Sequence, residues 1–178
     1  MSIGATGGVV QEFVVGHEIT VTILLGSTNY QIVGAAKDYK KQFDHNQGLN
    51  TFGMGSINVN TVNSQVLDQV DRIAEAYKKI DYRGFLSCQF IVDQSDVPWF
   101  LECNHRLCDP EFQSMAVNLP KDFGNYVRQA LTDGVISNIV LNNLNAVTVG
   151  LVHCDWPHAQ EKREPLDLSD CPFRFTPN

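Results

Sequence analysis

Residues 97–113 read V-P-W-F-L-E-C-N-H-R-L-C-D-P-E-F-Q, from Val97 to Gln113. The segment opens as an apolar run, Trp99-Phe100-Leu101, the mark of a buried strand. Glu102, Asn104 and Arg106 then fall on alternate residues, and alternate residues of a strand share a face. A carboxylate, an amide oxygen and a guanidinium are thereby expected along one side of a strand end. A carboxylate beside a neutral oxygen suits a hard divalent cation such as Mg²⁺, and an arginine two residues on suits a phosphate. Asp109-Pro110-Glu111 follows, two further carboxylates in a proline-stiffened turn. The competing reading is an exposed edge strand with solvated polar side chains.

The neighbouring segments read as an antiparallel sheet with packed helices, an α+β arrangement. Gly84–Val92 is an apolar strand, and Asp93–Asp96 turns it into the strand from Val97, so that Gln89 faces Glu102. Ser64–Ile80 predicts a helix with Val66, Leu67, Val70, Ile73, Ala74 and Tyr77 on its apolar face and Ser64 as N-cap. Glu18–Leu25 alternates Glu18, Thr20 and Thr22 with Ile19, Val21 and Ile23, then pairs through Gly26–Asn29 with Tyr30–Ala36 as a hairpin. Glu18 is either a solvated strand residue or part of a site. A short strand over Val9–Phe13 is expected to carry Glu12, and the glycine-rich Met1–Gly8 reads as a frayed terminus. Lys37–Gly55 is polar, begins with three lysines and contains Gly48, Gly53 and Gly55, so it is expected to be a long loop, functional or floppy, whose backbone can approach an anion. Pro120–Thr132 predicts a second helix stopped by Gly134, and Ala146–Cys154 a further strand. Residues 155–178 hold four of the seven prolines and little periodicity.

Composition narrows the function classes. The net charge of −7 argues against sequence-independent nucleic-acid binding, and no apolar run reaches the length of a membrane span. The five cysteines, at 88, 103, 108, 154 and 171, include no CxxC and leave one unpaired in any disulfide scheme, which favours reduced thiols and a cytoplasmic setting. Cys103, His105 and Cys108 are close in sequence, but no second ligand pair accompanies them and zinc is not expected.

Four stretches together resemble one family. Q-E-F-V-V-G-H-E-I-T is similar to E-E-F-x-x-G-E-E-x-S of the phosphoribosylamine–glycine ligases, within the ATP-grasp superfamily. A-K-D-Y-K-K-Q-F-D-H-N-Q-G-L-N-T-F-G-M-G is similar to their Q-D-H-K-R-x-x-D-x-D-x-G-P-N-T-G-G-M-G, and L-E-C-N-H-R-L-C-D-P-E-F-Q to their x-E-F-N-x-R-F-G-D-P-E-x-Q. A-V-T-V-G-L-V-H-C-D-W-P resembles a strand of their C-terminal domain. The resemblance implies the C-terminal part of an ATP-grasp domain over 1–145 and the start of a C-terminal β extension over 146–178. It implies ATP as substrate with Mg²⁺ or Mn²⁺, phosphorylation of the glycine carboxylate, and displacement of phosphate by the amine of phosphoribosylamine. Glu102 and Asn104 would hold the metal. Arg106, Asp109 and Glu111 would serve the reacting phosphate and acyl phosphate. Glu12 and Phe13 would sit at the adenine side, Glu18 at the ribose, and Lys40, Asn50, Thr51, Gly53 and Gly55, with Asp38, over the phosphates and substrate.

The chain also departs from the pattern. Tyr39 stands where the family has His, Gln11 where it often has Glu, Phe52 where it has Gly and Cys108 where it has Gly. The resemblance places the start of the chain near the hinge between the two ATP-grasp lobes, so a complementary chain or a homo-oligomer is expected to cover the missing lobe. Two further readings stand beside a ligase: a binding protein on the same scaffold without catalysis, and an ATP-grasp ligase for another carboxylate.

Overall fold

The structure, a computed structural model, describes residues 10–152 and 156–158. Among them the elements run β1 (Gly16–Leu25), β2 (Tyr30–Phe43), β3 (Gln47–Asn58), α1 (Ser64–Lys78), β4 (Gly84–Asp93), β5 (Pro98–Asn104), α2 (Glu111–Ala116), α3 (Phe123–Arg128) and β6 (Val147–Val149). The strands form one antiparallel sheet in the order β5-β4-β1-β2-β3-β6. The expected α+β arrangement and both expected hairpins, β1–β2 and β4–β5, are present.

The period-2 alternation of β1 separates two kinds of burial. Ile19, Val21, Ile23 and Leu25 join Leu86, Cys88, Phe90 and Val92 of β4 beneath Val66, Val70 and Ala74 of α1. The opposite face carries Thr20, Thr22, Ser87, Gln89, Ser56 and Asn58, all buried, with Leu24 and Val33 packed against Ala130, Ile136 and Ile139 at one end. Thr20 and Thr22 are therefore not solvated as a polar strand face usually is; hydroxyl pairs such as Thr22 with Ser87, 2.9 Å apart, satisfy them internally.

Several expectations need correction. Lys37–Gly55 is not a loop but the body of the β2–β3 hairpin, closed by a turn in which His45 and Asn46 adopt φ of 57° and 58°. Two consecutive positive φ values suit the right-handed twist of a hairpin, and here they come without glycine. Val9–Phe13 is not a strand over its described residues: the β1–β4 ladder begins at Gly16 opposite Asp93, where β4 turns away, and nothing pairs with 10–15. Val9 and Met1–Gly8 lie outside the described residues, as do Cys154 and most of 155–178. The cap of α1 is Asn63, not Ser64; its Oδ1 accepts from the Gln65 N–H at 2.8 Å while Ser64 is already helical. The second helix begins at Phe123 and ends in a π-helical turn, Gln129–Asp133, with Gly134 at φ 71° closing it as expected. α2 was not anticipated; six residues are too few to show a helical period.

Phe90 is fully buried between α1 and the sheet, its ring 5.9 Å from that of Phe100. Phe90→Ala is expected to lower stability by about 3–5 kcal/mol, against about 1 kcal/mol for loss of the α1 cap in Asn63→Ala. Urea unfolding midpoints of the two variants measure the contrast, and equal losses would contradict this account of the core.

Candidate functional site

The register of the sheet builds the site. Glu102 on β5 lies opposite Gln89 on β4, Gln89 opposite Thr20 on β1, and Thr20 opposite Ala36 on β2. Asn104 lies opposite Ser87, and Ser87 opposite Thr22. Glu102 and Asn104 thus share the face that carries Thr20 and Gln89, as alternation predicts, and the Asn104 amide donates to Glu102 Oε1 at 2.9 Å. That bond sets the two side chains side by side with the Asn104 amide nitrogen toward the carboxylate, and a half-turn of the amide brings its carbonyl oxygen there instead. Two hard oxygen donors, one charged and one neutral, fit a hard divalent cation.

α2 lies on the same face. Glu111, 1% exposed, accepts from Thr20 Oγ1 at 2.8 Å and from the Gln89 amide at 3.3 Å. Ser56 Oγ donates to the Pro110 carbonyl at 2.8 Å and lies 2.9 Å from Ser114 Oγ. Met115 lies against Gly34, where any side chain would collide with it. Glu111 is consequently an internal anchor rather than a group presented to solvent, whereas Asp109 and Arg106 are exposed. Among the described residues the Arg106 guanidinium donates to the neighbouring Leu107 carbonyl, at 3.2 Å.

A second charged group lies on β1 and β2. The Lys40 ammonium bridges Glu18 and Asp38, 2.6 Å from the latter. Asp38 is buried, and its Oδ1 has no hydrogen-bond partner among the described residues. Burial raises its carboxyl pKa to about 6, Lys40 pulling the other way and Glu111 and Glu18 adding to the rise. The Lys40 pKa is raised despite its own desolvation, because both carboxylates bond to it. Thr51 Oγ1 donates to the Lys40 carbonyl at 2.8 Å and accepts from the Gly53 N–H at 3.0 Å, so Thr51 fixes the backbone of both hairpin arms.

The remaining expected positions divide. Asn50 is exposed opposite Lys41. Gly53, at φ 133°, has the Pro110 ring where a Cβ would stand, and Gly55 has the Thr148 carbonyl of β6 there, so both glycines have packing reasons to be glycine. Glu12 is exposed and Phe13 is 88% exposed, and neither is brought to the group. Phe52, in a glycine position of the motif, points outward with its ring 5.9 Å from Trp156. Cys108 points inward, 3.9 Å from the Gln89 amide. Sequence reasoning missed Thr20 and Gln89 as partners of Glu111; the shared parity of Glu18 and Thr20 was the available signal.

Comparison with known proteins places the chain in a family. The family model for the phosphoribosylglycinamide synthetase ATP-grasp (A) domain matches residues 3–112. The phosphoribosylamine–glycine ligase of Thermotoga maritima is 30% identical over 171 residues, covering 91% of this chain and 42% of that protein. That of Leptospira interrogans is 30% identical over 179 residues, covering 94% and 42%. The crystal structure of the Thermotoga maritima ligase superposes with a TM-score of 0.71 at 29% identity, over 84% of this chain and 39% of that one. A biotin carboxylase from Campylobacter jejuni shares the fold alone, with a TM-score of 0.56 at 18% identity over 77% of this chain and 30% of that one. The chain spans about two fifths of the length of the curated relatives it matches. With its match to the family model over more than half its length, this chain belongs to the phosphoribosylglycinamide synthetase ATP-grasp domain family.

Proposed function

We propose that this chain forms the metal- and phosphate-holding part of an ATP-dependent ligase that joins the glycine carboxylate to the amine of phosphoribosylamine, in purine biosynthesis in the cytoplasm. The observation that carries the reading is the placement of Glu102 and Asn104 side by side on the polar face, with Arg106 following. The likeness to the Thermotoga maritima ligase supports the substrate class.

In this reading Glu102 and Asn104 hold Mg²⁺, which when bound neutralises charge on the ATP phosphates. Arg106 is free to take an anionic oxygen of the phosphate transferred to glycine, and Asp109 borders the same end. Lys40 offers a positive charge whose position Glu18 and Asp38 fix in advance. Glu111 acts indirectly, holding α2 and hence the Arg106–Pro110 connection against the sheet. Phosphorylation of a carboxylate, followed by attack of an amine on the acyl carbon with departure of phosphate, asks for positioning and charge stabilisation more than for a side-chain nucleophile. A second lobe covers the nucleotide in this proposal. Phe43, Leu49 and Phe52, apolar and exposed along the β2–β3 hairpin, support such a contact.

Titration calorimetry of Mg²⁺-ATP into the intact chain tests the core of the reading. Binding is expected, and Glu102→Ala is expected to weaken it by about tenfold or more. Absence of binding by the unaltered chain at millimolar nucleotide, or equal affinity in the variant, would remove the proposed role.

Asp38 generates a separate expectation. Its carboxyl pKa is about 6 in the folded chain against 3.8 as the ordinary value, so the folded state holds the proton more tightly. Its stabilising contribution is full below about pH 4 and is lost as pH rises through 6. The loss from this group amounts to about 3 kcal/mol. Asp38→Asn should remove that part of the pH dependence. Urea midpoints from pH 4 to 7 for both proteins measure it, and parallel curves would refute the assignment.

A further inference from the structure

Cys88 of β4 and Cys103 of β5 stand directly opposite each other, with their sulfurs 3.7 Å apart. Both belong to the α1 face, away from Glu102 and Asn104, and nothing in the proposed chemistry uses them. Directly opposed residues of an antiparallel pair have Cα atoms about 4.5–5.5 Å apart, within the range a disulfide spans. Cys88 is fully buried, whereas Cys103 sits on the edge strand and is partly exposed. An attacking thiol at the surface with a second thiol waiting behind it is the arrangement a reversible dithiol requires.

We propose that Cys88 and Cys103 are a redox-active pair, oxidised by a hydroperoxide to a cross-strand disulfide and reopened by a small-molecule thiol. The Cys103 thiolate attacks one peroxide oxygen; the S–O bond forms, the O–O bond breaks, and the departing oxygen leaves as water after taking a proton. Cys103 is then a sulfenic acid. The Cys88 sulfur attacks it; the S–S bond forms, the S–O bond breaks, and the hydroxyl leaves with the Cys88 proton as a second water. Two thiols lose two electrons and one hydrogen peroxide gains them. Two equivalents of thiol reverse the step by exchange.

Accessibility sets this order: Cys103 is partly exposed on the edge strand, and Cys88 is fully buried behind it. Cys108 is a contrasting neighbour: it is buried and its pKa is raised by that burial, so it is expected to stay inert.

The sequence provides a clean readout, because trypsin cuts after Arg83 and Arg106 and releases one peptide holding Cys88 and Cys103 without Cys108. The intact chain is treated with hydrogen peroxide, unfolded, alkylated and digested. The expected peptide is about 2 Da lighter than its reduced, unalkylated form and takes up alkylating agent only after dithiothreitol, while Cys108 is alkylated throughout. Cys103→Ser should leave Cys88 alkylatable after peroxide. Cys88→Ser should accumulate a Cys103 sulfenic acid that dimedone captures. Should either variant not fold, the mapping of the unaltered chain decides alone. Both cysteines alkylatable after peroxide, or Cys103 driven to sulfinic acid beside a free Cys88, would overturn the proposal. The readout is of thiols only and is independent of nucleotide binding.

Discussion

The buried carboxylate of Glu111 holds the architecture of the site together. It is the first residue of α2, and its only described donors, Thr20 and Gln89, belong to two adjacent strands of the sheet. Hydrogen bonds to a charged group are among the stronger ones in a protein interior, and removing one donor leaves the carboxylate uncompensated. The geometry follows from that bond. With α2 packed over β2 and β3 and tied through Glu111 to β1 and β4, the connection Arg106–Pro110 has to run from the end of β5 back across the sheet. Pro110 then meets Gly53 and Ser56 on β3, which ties the long hairpin to the same anchor. Ser114 and Met115 complete the contact one helical turn on, over Ser56 and Gly34.

Much of this was legible in the sequence because strand periodicity is short and strict. The parity of Glu102, Asn104 and Gln89, the β1–β2 hairpin and the apolar stripe of α1 each follow from a pattern repeated over a few residues. What escaped has equally physical causes. Lys37–Gly55 carries lysines and glycines where β-branched residues are usual, yet the pairing of β2 with β3 along the hairpin, with β6 beyond it, imposes strand geometry that intrinsic propensity does not favour. Its turn uses His45 and Asn46 where a glycine would have been recognised. Glu111 read as one more site carboxylate because no local feature distinguishes a carboxylate turned inward from one turned outward. That distinction depends on Thr20 and Gln89, which are 91 and 22 residues away.

Charge is distributed with similar economy. The chain is acidic, with 13 lysines and arginines against 20 carboxylates, so each cation stands in a largely negative field. Lys40 is bridged by Glu18 and Asp38, which limits its rotamers but also neutralises it. The unpartnered Oδ1 of Asp38 and its raised pKa show that the second carboxylate is held at a cost. Protonation of Asp38 would leave Glu18 as the sole charged partner and free part of the lysine's field for an anion.

The position of β5 at the edge of the sheet suits the proposed role of Glu102 and Asn104. A strand with one neighbour has a side open to water, so Glu102 remains exposed while Gln89, directly opposite on β4, is only 6% exposed. Exchanging the two residues would bury a carboxylate with no cation among the described groups beside it, a desolvation of several kcal/mol on the order expected for an unpaired ion. The same edge leaves Cys103 partly accessible with Cys88 sealed behind it. The two faces of the outermost strand thus repeat one arrangement, a partly or fully exposed residue on β5 opposite a buried one on β4: Glu102 with Gln89, and Cys103 with Cys88.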